Sequence, residues 1–168
     1  MLDLPTDDSL PQRVLLQSRA DIEPAVLGVL RRARRELRCL HHDLSVFQLS
    51  RPSIVQALHD FLHDSRNARI CLLVDDTAWL DAQAARLRLL QRQLSHAIEM
   101  RRAIADDPVG EDCALIVDDA HLLMLSTSAH GIGEIWFNSL PRVQPFLAGF
   151  DRRWDAGAHN LPVDPLGL

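Results

Sequence analysis

From Ser18 onward the apolar positions fall at helical intervals. In SRADIEPAVLGVLRRARREL, Ile22, Val26, Val29, Leu30, Ala33 and Leu37 share one side, and Ser18 stands three residues before Asp21 in the spacing of a capping box. The pattern predicts an amphipathic helix that reaches Leu37, with ELRCLHHDLSVF supplying a short strand ending near His42. After SRPS, the segment IVQALHDFLHDS sets Ile54, Val55, Leu58, Phe61 and Leu62 on one face of a second helix. ARICLLVDD is an almost continuous apolar run closed by two aspartates, the pattern of a central strand buried on both faces. Trp79, Leu80, Ala84, Leu87, Leu90 and Leu94 predict a third helix over 77–94, and HAIEMRRA alternates as a strand. Beyond the loop ADDPVGED come three strand-like runs, CALIVDD, HLLMLST and GEIWFNS, joined by short turns. PRVQPFLAGFDRRW closes the pattern as a helix with proline in its first turn.

The predicted order is αβαβαβ, a β-meander and a last helix. It implies an α/β fold with a mixed, mostly parallel sheet and helices on both faces. Residues 1–17, with Pro5, Pro11 and the cluster TDDS, read as a loose arm, 18–154 as the domain and 155–168 as a tail. A chain of 168 residues suits a single core.

Composition narrows the chemistry. Hydrophobic residues make up 47% and charged ones 24%, the range of soluble globular proteins. The apolar runs fall far short of the roughly 18 residues of a membrane span. The acidic opening MLDLPTDDSLPQR has no secretory pattern, so a cytoplasmic protein without membrane contact is expected. Cys39, Cys71 and Cys113 lie in separate segments without a CxxC pair and read as buried reduced thiols. All 18 basic residues are arginine, which excludes Schiff-base chemistry and phosphate-binding lysines from this chain. The net charge of -5 argues against general attraction to nucleic acid while leaving room for a local basic patch.

His59 and His63 stand four apart on the second helix, as in a zinc site, and His41 to Asp43 is a source for a third ligand. Because Leu58, Phe61 and Leu62 mark the core side of that helix, the two histidines read as solvated, and no metal or cofactor is expected. Asp75 and Asp76, closing a parallel strand, are a weaker metal candidate. RRARRELR sets Arg31, Arg35 and Arg38 on one helical face, a stripe for an anionic partner or a solvated face paired with Glu36. Arg101 and Arg102, at the end of a strand, are candidates for an anionic ligand.

Three stretches resemble a phospholipase D-like domain: RICLLVDD after a helix and a basic turn, CALIVDDAHLLMLSTSAH as the strand-turn-strand that bears the motif His-x-Lys-x-x-x-x-Asp, and GEIWFN before a helix ending FDRRW. LRLLQRQLSHAIEMRR is similar to a bacterial branch of that superfamily found alone or fused to acyltransferases. The resemblance spans roughly Arg19 to Trp154 as element order and local texture. It aligns Asp118 with the motif aspartate, which puts Cys113 in place of the lysine and Glu111 in place of the nucleophilic histidine. Ser126 and Ser128 match the family's hydroxyl loop and Glu134 its later acid. A glutamate there repels phosphate and a thiol supplies no positive charge, so the resemblance implies a degenerate domain. His121 and His130 are the histidines that would have to replace the nucleophile.

The expectation is therefore a noncatalytic phospholipase D-like domain that binds or assembles. The alternatives are a phosphodiesterase or nuclease with a rearranged site, and a sensor of a phosphorylated or anionic small ligand. Because single-motif members of the family pair their domains, the resemblance also implies a homodimer, with Glu111 to Asp119 and Ser126 to Glu134 near the two-fold axis. Pairing would cover Ile132, Trp136 and Phe137. A protein partner is the other partner expected, and nucleic acid is not.

Overall fold

Successive residues of a strand point to opposite faces of a sheet, and in this chain both faces of the inner strands are apolar. The computed structural model describes residues 1–7, 9–126, 132–157 and 159–162. Its strands are β1 (Gln12–Leu16), β2 (Glu36–Leu40), β3 (Arg69–Val74), β4 (Ile98–Arg102), β5 (Ala114–Val117), β6 (His121–Leu125), β7 (Gly133–Phe137) and β8 (His159–Asn160). The helices are α1 (Ile22–Leu30), α2 (Pro52–Asp64), α3 (Ala78–Gln83), α4 (Ala85–Gln93) and α5 (Leu140–Asp155). On β3, Ile70, Leu72 and Val74 enter one core while Cys71 and Leu73 enter the other. The first core takes Val26 and Val29 of α1, Leu58 of α2, Leu80 of α3, Leu87 and Leu90 of α4, and Ala84 between those two helices. Among the described residues the second is covered by α5, through Val143 and Phe150, and by Ala103 and Val109 of the loop between β4 and β5.

One sheet carries the strands in the order β1-β7-β6-β5-β2-β3-β4-β8. The expected α/β fold, with a mixed sheet and helices on both faces, is present. Parallel pairing is confined to β2, β3 and β4, where α2 and then α3 with α4 make the crossovers. The pairings of β5, β6, β7, β1 and β8 are antiparallel, so the parallel share is smaller than the sequence pattern suggests.

Four features differ from expectation. The first helix stops at Leu30 rather than Leu37, because Leu37 and Cys39 are claimed by β2, which pairs with β3 on one side and β5 on the other. Strand pairing on both edges outweighs a helical pattern that Ala33 and Leu37 continue only by coincidence of spacing. The arm read as loose is also anchored. β1 pairs along all of β7, Leu4 packs against Gly28, and the Arg32 guanidinium donates to the Pro5 carbonyl. At the other end the presumed tail docks through β8 on β4, with the Leu161 amide donating to the Met100 carbonyl at 2.8 Å. Finally, the third helix is two helices, broken at the fully buried Ala84.

Phe137 is fully buried in the first core, with the Arg32 guanidinium 4.3 Å above its ring and His121 at its edge, and so is no part of a pairing surface. Phe137→Ala is expected to cost about 3–5 kcal/mol in urea unfolding. Leu140→Ala, at a site 53% exposed, is expected to stay within about 0.5 kcal/mol.

Candidate functional site

The segment carrying the remnant motif runs into β5, and its upstream end opens on a cleft. A cavity of about 570 Å³ is lined by Glu111, Asp112, Cys113, Ser126, Gly133 and Glu134, with Leu15, Met124 and Phe146 as apolar wall and Arg13 at the rim. The antiparallel meander explains the gathering. β6 returns beside β5 and β7 beside β6, so the far end of β6 at Leu125 and the start of β7 at Gly133 come level with Cys113. Gly133 is required for this approach, because a Cβ there would lie 2.3 Å from the Met124 carbonyl oxygen. Four of the six remnant positions, Glu111, Cys113, Ser126 and Glu134, therefore share one cleft; Ser128 and the candidate His130 lie outside the described residues.

The chemistry of this cleft is acidic and neutral. Glu134 is only 15% exposed; burial works against its charge, but hydrogen bonds from the Trp136 indole at 2.7 Å and from Arg13 outweigh it, and the carboxyl is held below its usual range. Burial pushes the Cys113 thiol up to about 12, so at neutral pH it is an uncharged group. Arg13, the cation at the rim, is committed to Glu134 through Nε at 2.7 Å and lies 5.3 Å from the Trp136 ring centroid. Arg142 lies 4.4 Å from the same ring centroid. Arg13, Leu15 and Phe146 were missed from the sequence. The alternation in QRVLL was the available signal for the first two.

Asp118 is not in the cleft. It sits at the other end of β5, where its carboxylate accepts the backbone N–H groups of Arg34 (2.6 Å), Arg35 (2.7 Å) and Glu36 (2.8 Å). Asp118 and Asp119 both take positive φ, 52° and 59°, and turn β5 tightly into β6. His121 begins β6 at this same end, on the core side. Its Nδ1 accepts the Asn138 amide at 3.1 Å, which places it away from Glu111 and Cys113.

The remaining candidates are dispersed. Arg31, Arg35 and Arg38 do not form a helical stripe, because α1 has ended: Arg31 caps it, Arg35 lies in the following loop and Arg38 is in β2. Arg38 is enclosed by Asp119 (2.6 Å), Glu36 (2.9 Å) and Asp151 (3.7 Å). Arg101 bonds Glu99 and the Trp154 carbonyl and stacks 4.2 Å over the Trp154 ring, while Arg102 donates to Thr77. Both arginines belong to β4, three strands from β5. His59 and His63 stack on α2, each beside the aspartate that follows it. Asp75 accepts the amides of Val109 and Gly110 and so fastens the loop before β5. Among the described residues no group of three or more His, Cys, Asp or Glu is arranged to hold a metal ion.

Residues 18–163 match the family described as Domain of unknown function (DUF7931). The chain belongs to this family. No curated protein matches the sequence. Among solved structures, the chain is similar to TrmBL2, an archaeal chromatin protein described as binding DNA, at 14% identity and a TM-score of 0.64 over 95% of this chain and 56% of that one. It is similar to NucT from Helicobacter pylori, at 8% identity and TM-score 0.57, over 90% of this chain and 99% of that one. Phosphatidylserine synthase from Haemophilus influenzae Rd KW20 gives 13% identity and TM-score 0.57 over 90% of this chain and 39% of that one. The chain thus spans little more than half of TrmBL2 and less than half of the synthase. At these identities the likeness is one of fold, and the fold of this family member is phospholipase D-like. Among the described residues no helix is long and apolar enough to cross a membrane.

The position of Asp118 makes it a structural carboxylate. Asp118→Ala is expected to lower stability by about 2–3 kcal/mol in urea unfolding, since it removes hydrogen bonds to a charged acceptor and leaves three amides to find others. Glu111→Ala, at the exposed lip of the cleft, is expected to cost less than about 0.5 kcal/mol.

Proposed function

We propose that the chain is a noncatalytic phospholipase D-like domain that acts as a binding or assembly module. The observation that carries this reading is the charge of the cleft: Glu111 and the neutral Cys113 thiol line it, and the cations beside it are already committed, Arg13 to Glu134 and Arg153 to Asp112 at 3.0 Å. A phosphodiester placed about 5 Å from the Glu111 carboxylate meets a repulsion of about 3 kcal/mol at an effective dielectric near 20. Phosphoryl transfer needs a nucleophile and positive charge on the non-bridging oxygens, and the positions that the resemblance assigns to them hold Glu111 and Cys113. The neighbours in fold include a chromatin protein and a lipid synthase, so fold alone does not choose an activity. The acidic cleft with its apolar wall suits a cationic or amphipathic partner rather than a phosphate.

Purified protein is expected to give no turnover of bis-p-nitrophenyl phosphate above the buffer rate between pH 5 and 9, with or without divalent metal. Turnover abolished by His130→Ala or by Glu134→Gln would replace this reading with that of a rearranged phosphodiesterase site.

The same reading includes a homodimer in which the edge around Glu111 and Glu134 faces its symmetry mate. Supporting it, Leu15 is 50% exposed beside the cleft on β1, an outer strand of the sheet, and Trp136 is only half-buried on the same side. Light scattering is expected to give twice the 18.9 kDa chain mass, returning to the single mass for Leu15→Glu. One chain mass for the unaltered protein across micromolar to millimolar concentrations would overturn the pairing.

A further inference from the structure

The end of the sheet opposite the cleft brings Arg31 and Arg35, anionic-partner candidates in the sequence, together with arginines from a distant turn. Parallel strands start at the same end of a sheet, and β2 and β3 do so here with Glu36 level with Arg69. The loop that enters β2 supplies Arg31, Arg34 and Arg35, and the turn that enters β3 supplies Arg66 and Arg69. The two meet directly, since the Arg69 amide donates to the Arg35 carbonyl at 3.0 Å. All five side chains are exposed. No carboxylate among the described residues pairs with any of them; Arg34 turns its Nη1 onto the Arg31 and Ala33 carbonyls at 3.0 and 2.9 Å. The nearby acids are engaged: Glu36 and Asp119 with Arg38, Asp118 with the three amides of the loop, and, in the groove that Arg31 and Arg34 share, Asp60 with Gln56 and Asp64 beside His63. The Asp118 clamp fixes the loop backbone, so the guanidinium groups are presented from a rigid base.

We propose that this arginine end is a sequence-independent binding surface for the phosphate backbone of a nucleic-acid duplex. Guanidinium groups match phosphate oxygens in bidentate geometry. A net charge of -5 does not prevent this, because at physiological salt the Debye length is about 8 Å and acids at the far end of the sheet are screened from a ligand here. Other polyanions fit less well. Among the described residues the exposed large apolar side chains are Met1, Leu10, Leu15, Leu89 and Leu140, none of them within this cluster, so the surface lacks the groups that enter a lipid bilayer. An acidic peptide would lie in the adjoining groove of about 690 Å³ between α1 and α2, but its α2 wall carries Asp60 and Asp64. Among the described residues no Phe or Trp side chain is exposed, and Phe61, which lines the adjoining groove with Arg31 and Arg34, is buried, so no such ring is offered to stack an unpaired base, which points to a duplex rather than a single strand. This surface is remote from the cleft and independent of what the cleft binds.

The test is fluorescence anisotropy of a labelled 20-base-pair DNA duplex of mixed sequence, titrated with the full chain at 50 and 200 mM NaCl. Binding at 50 mM is expected to weaken about a hundredfold or more at 200 mM, as neutralisation of four or five phosphates requires. Arg34→Ser/Arg35→Ser/Arg69→Ser is expected to lower affinity at 50 mM at least tenfold and to reduce the salt slope by two to three. Arg19→Ser/Arg86→Ser/Arg92→Ser removes three exposed charges elsewhere and is expected to leave both unchanged. Circular dichroism of each variant separates loss of binding from loss of fold, and single substitutions at Arg34, Arg35 and Arg69 replace a triple variant that unfolds. Equal losses in the two sets, no binding to the duplex at 50 mM, or binding only to anionic phospholipid vesicles or polyglutamate would overturn the proposal.

Discussion

One carboxylate decides where the first helix ends and the sheet begins. Asp118 accepts three consecutive amides, those of Arg34, Arg35 and Glu36, which would otherwise continue the helix or go unpaired as the chain turns. By holding that turn it sets Glu36 level with Arg69 on one side and Leu37 level with Val117 on the other. A shift of one residue here would move Leu37 and Cys39 from the first core to the second, and Arg38 and Leu40 the other way. The separation of two dry cores by one sheet rests on this register. The carboxylate is thereby occupied, so in this chain the aspartate that the resemblance assigns to a catalytic motif serves the backbone.

In the cleft at the opposite end of β5, shape and charge come from different sources. The convergence of Cys113, Ser126, Gly133 and Glu134 follows from meander geometry and from a glycine whose hydrogen no larger group can replace. Those features depend on strand pairing and are indifferent to the chemistry of the side chains that line the space. The electrostatics are set by a few residues: Glu134 held charged by Trp136 and Arg13, and Cys113 held neutral by burial. Shape and charge therefore vary independently, which is how one architecture accommodates both catalysts and proteins that only bind.

Much of the fold was legible because β3, the meander and α5 carry patterns with one interpretation each: a continuous apolar run, three short strands in succession, and a proline-opened amphipathic helix. The grouping of Glu111, Cys113, Ser126 and Glu134 was legible through the resemblance alone, since these residues are not adjacent in any periodic pattern. Elsewhere the sequence misled for physical reasons. Ala33 and Leu37 satisfy helical spacing from Leu30, and only the demand of two neighbouring strands for β2 breaks it. Residues 12–16 look like part of a polar arm because an outer strand needs few apolar residues, and Val14 and Leu16 were too few to announce it. In the arginine cluster at the start of β2 and β3, Arg31 and Arg35 were legible as candidates for an anionic partner, but their union with Arg66 and Arg69 was not, because the two segments lie more than 30 residues apart and are joined by parallel pairing.

The pairing of β1 with β7 joins residues as distant as Arg13 and Glu134, 121 positions apart. During synthesis, at roughly 5–20 residues per second, β1 therefore waits about 6–24 s before its partner strand exists. Throughout that interval Val14 and Leu16 have no core to enter, while α1, β2, α2 and β3 can already associate through contacts closer in sequence. The nascent chain spends this time as a partial sheet whose β2 lacks its neighbour β5. Closing the sheet at β1 is accordingly a late event, and translation speed across the meander sets how long an unpaired strand edge is displayed.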